Sequence, residues 1–440
     1  MSAFGVVGHD TPVDPAVRVL MVDDDIFMLD VMEELLRQAG ALRVERATDG
    51  RAALAIVDEP STHPDVVLCD LDMAGMDGIV FIRHLADRAF SGAIIVMSGS
   101  DDRILSSVSD LVREHELVLL ETLSKPVDPE RLFRAMRNVI PAAERHRNDV
   151  VTTGIEFFTA GYQGDQLTAA AVRKGLEQGY AKIAVQPKVR LHDNRVVGAE
   201  ALLRWTDPVR GPIPPTAVVP TAEKHGLIDN LSLIVFRQAV AALADWRQQG
   251  HDMTVSVNLS ERNLTDLHLP ERLAEIAHTA GVETGCIILE ITESDVVDSS
   301  TASRLEVIGR LRLKGFGMSI DDFGIGFSSM KKLGSIPFTE LKIDREFVHG
   351  VTGVHDSAAR VILGCSVELG HALQLSVVAE GVEDEEERRL VAALGCDEIQ
   401  GYLVARPMPP DEFLAWKIGW DATPRVQRDD RPSAPFAWRR

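Results

Sequence analysis

Six ionisable side chains in the second half of the chain, Glu200, Glu290, Asp321, Asp322, Lys342 and Glu380, lie in or just past short apolar runs, where a fold would bury them. Burying a lone charge is costly, so acids that recur at run after run need partners. Five carboxylates against one ammonium leave a surplus of four negative charges, which two divalent cations would cancel. With Asn258 added the set is all oxygen, without cysteine or a well-placed histidine, and this favours Mg2+ or Mn2+ over Zn2+. Adjacent Asp321 and Asp322 suit a bridge between two metals roughly 3.5–4 Å apart, which stabilises both the attacking and the leaving oxygen of an in-line displacement at phosphorus. Arg204 lies four residues past Glu200, faces the same way on an extended strand, and can grip a phosphate oxygen. Taken alone, Arg204 reads equally as a rim salt bridge. Gln186, Asp344 and Gln400 are further polar residues on the same runs. Glu293 and Glu383 each lie three residues past a candidate ligand, so on a regular strand they point elsewhere and read as groups that support ligands or hold loops. The segment 322–329 has two glycines and two serines but lacks the lysine of a P-loop, so it reads as a mobile loop.

The first half carries a second constellation. Asp23, Asp24, Asp70, Ser98 and Lys125 fall at the ends of successive apolar runs. Transfer of a phosphoryl group to a carboxylate needs acids for a divalent cation, an aspartate nucleophile, and a cation to hold the new group. The Asp23–Asp24 pair, Asp70 and Lys125 supply these in turn, and Ser98 can hydrogen-bond a phosphoryl oxygen.

Both sets need strands to position them. Short buried-type strands are expected at 17–22, 65–69, 93–97 and 117–120, with a helix over 28–39 after the first. Such alternation gives a doubly wound, five-stranded parallel α/β sheet, whose chemistry gathers at the carboxyl ends of the strands. The second half offers strands at 182–189, 196–205, 254–260, 287–293, 318–323, 340–347, 376–383 and 398–404, with helix-period stretches such as 231–249 and 302–313 between them. That pattern fits a (β/α)8 barrel. Only a turn around His192, Asp193 and Asn194 links the first two strands, which makes a hairpin, so one strand must be antiparallel. The domains expected are 17–140 and 167–415, joined by a linker over 141–166 with room for a short helix. A Pro-, Arg- and Asp-rich tail over 416–440 reads as disordered.

A net charge of −21 repels polyanions, which argues against nucleic acid and acidic membranes as partners. Cys69, Cys286, Cys365 and Cys396 sit in or beside apolar runs without a Cys-x-x-Cys pair, the pattern of buried free thiols in a reducing cytoplasm. Residues 1–16 lack the features of a signal peptide, and no apolar run reaches about 18 residues, so neither secretion nor a membrane span is expected.

In the order Asp23-Asp24, Leu68-Cys69-Asp70, Met76-Asp77-Gly78, Ser98-Gly99 and Lys125-Pro126, residues 17–140 resemble a response-regulator receiver domain. The resemblance implies that Asp70 takes phosphate from a sensor histidine kinase with Mg2+ present. Ala74 replaces the usual proline, and Thr122 replaces the usual aromatic switch residue, so how the signal spreads stays open. Residues 167–415 resemble the EAL family of cyclic di-GMP phosphodiesterases. The matches are Gln186-Pro187, Glu200-Ala201-Leu202-Leu203-Arg204-Trp205, Asn258-Leu259-Ser260, Glu290-Ile-Thr-Glu293, Asp321-Asp322-Phe323-Gly324, Lys342-Ile343-Asp344, Ala379-Glu380-Gly381-Val382-Glu383 and Gln400-Gly401-Tyr402. Ile325 and Phe327 are mild departures in the loop. By resemblance, Glu200, Asn258, Glu290 and Asp321 hold one Mg2+ or Mn2+, and Asp321 with Asp322 holds the second. Lys342 and Glu380 would orient or deprotonate the attacking water, and Gln186, Arg204, Asp344 and Gln400 would lie near the substrate. The implied protein is a cytoplasmic response regulator that hydrolyses cyclic di-GMP to linear pGpG, as a dimer or larger homo-oligomer, and is activated when phosphorylation of Asp70 orders the loop after Asp322. A non-catalytic cyclic di-GMP receptor and a barrel metalloenzyme that abstracts protons beside carboxylates remain as alternatives. Turnover assays separate them.

Overall fold

The computed structural model describes residues 17–41, 43–59, 63–99, 102–115, 117–137, 139, 167–293, 302–324, 333–334, 336–349 and 357–422. The linker over 141–166 and the loop positions Ile325 and Phe327 lie outside the described residues. The chain divides into two compact units, 1–161 and 162–440, and each is treated by itself.

The first unit is a five-stranded parallel sheet of β1 (Arg18–Val22), β2 (Arg43–Ala47), β3 (Val66–Asp70), β4 (Ala93–Ser98) and β5 (Val118–Ser124), in the order β2-β1-β3-β4-β5. The expected strands are there, together with β2. Its sequence, Arg-Val-Glu-Arg-Ala, has only Ala47 buried, so it lacks the apolar run by which the others are legible. It is an edge strand, where one side needs no partner. β3 and β4 are buried throughout, as central parallel strands should be.

The second unit holds β6 (Ala181–Arg190), β7 (Val196–Asp207), β8 (Gly211–Ile213), β9 (Thr254–Asn258), β10 (Ile287–Thr292), β11 (Gly317–Phe323), β12 (Glu340–Ile343), β13 (Ser376–Ala379) and β14 (Glu398–Ile399). Strand pairing runs β6-β14-β13-β12-β11-β10-β9-β7, and β6 pairs back onto β7, closing an eight-stranded barrel. β6 is antiparallel to both of its neighbours, and the others pair parallel around the barrel. The hairpin turn after Arg190 dictates this reversal. β8 is an extra short strand, antiparallel on β7. Around the barrel the helices bury one apolar face; the helix Ile228–Gln248, for example, buries Leu231, Val235, Phe236, Val240, Leu243 and Trp246.

β9 and β10 end one or two residues before their expected limits, and β12, β13 and β14 are shorter by four or more. β12 stops at Ile343 because Asp344 caps the short helix Arg345–Val348, its carboxylate accepting from the Glu346 N–H at 2.7 Å. β13 and β14 stop at Ala379 and Ile399, which leaves Glu380, Glu383 and Gln400 just past strand ends. The disorder expected from 416 is corrected as far as Ala422: the helix Pro410–Ala422 stacks Phe413, Trp416 and Trp420, and the Trp420 indole N–H donates to the Asn194 carbonyl at 3.0 Å. Of the four thiols expected to be buried, Cys69 and Cys396 are, Cys286 is intermediate and Cys365 is exposed. Cys365 follows the apolar Val361–Leu363 run, but lies on the solvent-facing side of an amphipathic helix. Among the described residues no helix is long and apolar enough to cross a membrane.

Candidate active site and phosphoacceptor site

At the carboxyl end of the barrel strands, four carboxylates converge on one ammonium. Lys342 Nζ lies 3.2 Å from Glu200, 2.9 Å from Glu290, 3.0 Å from Asp321 and 2.6 Å from Glu380. Each acid comes from a different strand or strand end, so the cluster exists only in the closed barrel. Glu200 is held further by Asn258 Nδ2 at 2.9 Å and Gln400 Nε2 at 2.7 Å. Gln400 also donates to Gln186, which in turn donates to the Ala405 carbonyl. Gly401 allows this packing: a Cβ there would lie 2.1 Å from the Val382 carbonyl oxygen.

Consecutive residues of a strand face opposite sides, so Asp321 and Asp322 should not share a site. The structure resolves this with a register shift between Ile320 and Phe323 and a left-handed φ of 55° at Asp322. Aspartate tolerates that conformation better than most residues, at a modest energetic cost. As a result Asp321, Asp322 and Glu380 each offer an oxygen within 4.8 Å of the others.

One ammonium cannot satisfy so many acids. Burial raises the Glu200 carboxyl, but Lys342, Gln400 and Asn258 outweigh it and carry that group down to about 2. Burial pushes Glu290 well above its ordinary range, and the charge of Glu200 adds to it. Burial likewise pushes Glu380 up to about 8 and Asp322, beside Asp321 and Asp344, up to about 6. Lys342 stays charged, since the surrounding carboxylates overcome its burial. Glu290 Oε1 is buried without a hydrogen-bond donor, and Asp321 Oδ1 has the shared Lys342 ammonium beside it at 3.0 Å. Unsatisfied buried carboxylate oxygens beside further acids are the donor set a divalent cation takes.

The remaining predicted residues are spread around this core. Glu293 is buried, and its Oε2 accepts from the Gly324 N–H at 2.8 Å, so it anchors the start of the segment after the aspartate pair. Asp344 lies close enough for its charge to help raise the Asp322 carboxyl, as well as capping its helix. Arg204 lies beyond Glu200 towards the rim, its Nη1 on the Leu203 carbonyl. Glu383 does not join the site: its side chain is half exposed, 3.8 Å from His349, and its backbone N–H donates to Glu387. The backbone turns at Gly381, φ 66°, so strand periodicity no longer governs where Glu383 points.

The first unit gathers Asp23, Asp24 and Asp70 at the carboxyl ends of β1 and β3, within 4.8 Å of one another. Lys125 Nζ lies 2.8 Å from Asp23 and 3.0 Å from Asp70. Ser98 ends β4, fully buried, and its carbonyl accepts from the Lys125 N–H. Burial lifts the Asp70 carboxyl to about 6 in spite of Lys125. Gly78 lets the next helix press against Asp70, since a Cβ would lie 2.2 Å from the Asp70 carbonyl oxygen. Thr122 is half-buried, and Arg131 bonds its carbonyl. The Ala74 N–H donates to Asp24 Oδ2 at 2.8 Å, a bond that proline could not make.

The family model of the EAL domain matches residues 169–407, and that of the response regulator receiver domain matches residues 19–137. The cyclic di-GMP phosphodiesterase RocR of Pseudomonas aeruginosa is 32% identical over 403 residues, 92% of this chain and 99% of RocR. The bifunctional diguanylate cyclase/cyclic di-GMP phosphodiesterase MucR of the same organism is 37% identical over 295 residues, 66% of this chain and 42% of MucR. The solved structure of the PaMucR phosphodiesterase in complex with c-di-GMP is similar with a TM-score of 0.52 at 38% identity, covering 56% of this chain and 98% of that one. The chain belongs to the EAL domain family, with a response regulator receiver domain ahead of its EAL domain.

Proposed function

We propose that this protein is a response regulator that hydrolyses cyclic di-GMP to linear pGpG, under the control of phosphorylation at Asp70. The observation that carries the reading is the convergence of Glu200, Glu290, Asp321 and Glu380 on Lys342, with Glu290 Oε1 buried and left without a donor. Similarity to RocR along nearly the whole chain supports it.

Two Mg2+ or Mn2+ ions fit the donor set, one held by Glu200, Asn258, Glu290 and Asp321, the other by Asp321 and Asp322. When bound, they supply Lewis acidity that offsets charge on the attacking and leaving oxygens. A water oxygen attacks one phosphorus, the opposite P–O bond to the ribose breaks, and the linear dinucleotide results. Glu380, whose carboxyl burial pushes up, takes the proton of that water once ionised, and Lys342 orients it. Gln186, Arg204, Asp344 and Gln400 line the approach of the substrate. In the receiver domain, a kinase phosphohistidine gives up its phosphoryl group to Asp70, the P–N bond breaking as the P–O bond forms. Asp23 and Asp24 hold Mg2+, and Ser98 and Lys125 take the phosphoryl oxygens. Phosphorylation raises the phosphodiesterase rate by ordering the loop after Asp322, within a dimer or larger assembly.

The test is the rate on cyclic di-GMP with Mn2+ or Mg2+, with and without beryllofluoride, for the parent and Asp70→Asn. Release of pGpG, faster with beryllofluoride in the parent alone, is expected. Tight binding without turnover would make the protein a receptor, and equal rates in every state would uncouple the two domains.

A further inference from the structure

Beneath the acids lies a second charged layer that the proposed chemistry leaves unused. Lys188 is fully buried, and its Nζ lies 2.9 Å from Glu340 Oε2, 3.0 Å from Glu340 Oε1 and 2.8 Å from Ser256 Oγ. Glu340 is 4% exposed and Ser256 not at all. Barrel interiors are ordinarily filled by branched apolar side chains, and a buried ion pair is seldom a net source of stability. Its placement is specific. Side chains two residues apart on a strand share a face. Lys188 is two residues from Gln186 on β6, Ser256 two from Asn258 on β9, and Glu340 two from Lys342 on β12. Because β6 runs backwards, its later residue and the earlier residues of β9 and β12 all lie on the side away from the site. The three strands are not neighbours: β7 separates β6 from β9, and β13 and β14 separate β6 from β12.

We infer that Lys188 is a positioning residue for the site above it: through Glu340 and Ser256 it ties together, across the barrel, the strands that carry Gln186, Asn258 and Lys342. The tie fixes the spacing between Asn258, which holds Glu200, and Lys342, on which the acids converge. Burial lowers the Lys188 ammonium, but Glu340, Glu290 and Glu398 more than offset this, so the tie is ionic at neutral pH.

The inference rests on the phosphodiesterase reading, and its test separates the two. Lys188→Met leaves Glu340 buried and uncompensated, so melting temperature and kcat should both fall. Lys188→Met with Glu340→Met removes both charges, and such apolar replacements of a buried pair are often neutral for stability. This double variant should melt close to the parent, with kcat on cyclic di-GMP still reduced about tenfold, KM little changed, and a higher Mn2+ concentration needed for half-maximal thermal stabilisation. Recovery of kcat together with stability would mean that the pair only holds the fold, and would overturn the inference. Should the double variant not fold, Ser256→Ala decides: a drop in kcat of about threefold at an unchanged melting temperature supports the tie, and an unchanged kcat overturns it. If the parent itself does not turn over cyclic di-GMP, the proposed function fails. The Mn2+ titration still decides the tie then, since equal half-saturation in the parent and the double variant overturns it.

Discussion

Lys342 stands among four carboxylates, and the first prediction follows from their competition for it. Glu200→Ala or Asp321→Ala should lower the rate on cyclic di-GMP by about a thousandfold or more with Mn2+ present, while circular dichroism stays that of the parent. Near-parental turnover by either variant would remove the site from consideration. In the receiver domain, Ala74→Pro abolishes the N–H that holds Asp24 Oδ2. One hydrogen bond to a carboxylate is worth at least about 1.5 kcal/mol net, so the freed carboxylate should lower the Mg2+ concentration needed for half-saturation with beryllofluoride by roughly tenfold. An unchanged titration would show that the bond does not compete with the ion. Single residues were the most legible part of this chain, because a charge in an apolar run is conspicuous. Lys188 is the exception. It follows Gln186-Pro187 like any exposed lysine on a hairpin, and its partners Ser256 and Glu340 lie 68 and 152 residues away.

Elements were legible where burial is complete on both faces, as in β3 and β4, and less so where one rule hands over to another. The strand expected over 340–347 ends at Ile343, where the Asp344 cap starts a helix, and the Gly381 turn removes Glu383 from strand alternation. The displacement at Asp321–Asp322 was not legible at all, since a register shift depends on the neighbouring strand. That stretch also carries the Glu293 bond to Gly324. A hydrogen bond to a carboxylate is worth about 1.5–3 kcal/mol, so Glu293→Ala should lower kcat by roughly tenfold or more and leave the melting temperature within a few degrees of the parent. A change confined to KM would instead assign Glu293 to substrate binding.

At the scale of the molecule, an acid cluster gathered by folding makes stability depend on pH. Glu380, at about 8, and Asp322, at about 6, bind protons more tightly in the folded chain than at their ordinary values of 4.5 and 3.8. Between those ordinary values and the raised ones the folded state holds more protons than the unfolded state, so stability falls as pH rises. Glu200, at about 2, acts in the opposite direction but only below pH 4.5. In EDTA the barrel transition should therefore drop by about 3 °C or more between pH 5.5 and 8 by scanning calorimetry, and Mn2+ should flatten or reverse that slope. A transition that rises with pH in EDTA would contradict the balance of charges described.

The reversed first strand has a further consequence. In an all-parallel barrel the first strand starts at the floor, far from the chemistry. Here Ala181, which opens β6, pairs with Trp205, five residues past Glu200 on the way to the rim. The polypeptide thus enters the barrel on its catalytic side, and Gln186 and Lys188 are the sixth and eighth residues of that entering strand. A pull or a twist applied to the chain ahead of Ala181 would reach two layers of the site within four repeats of the backbone pleat, without having to cross the body of the barrel.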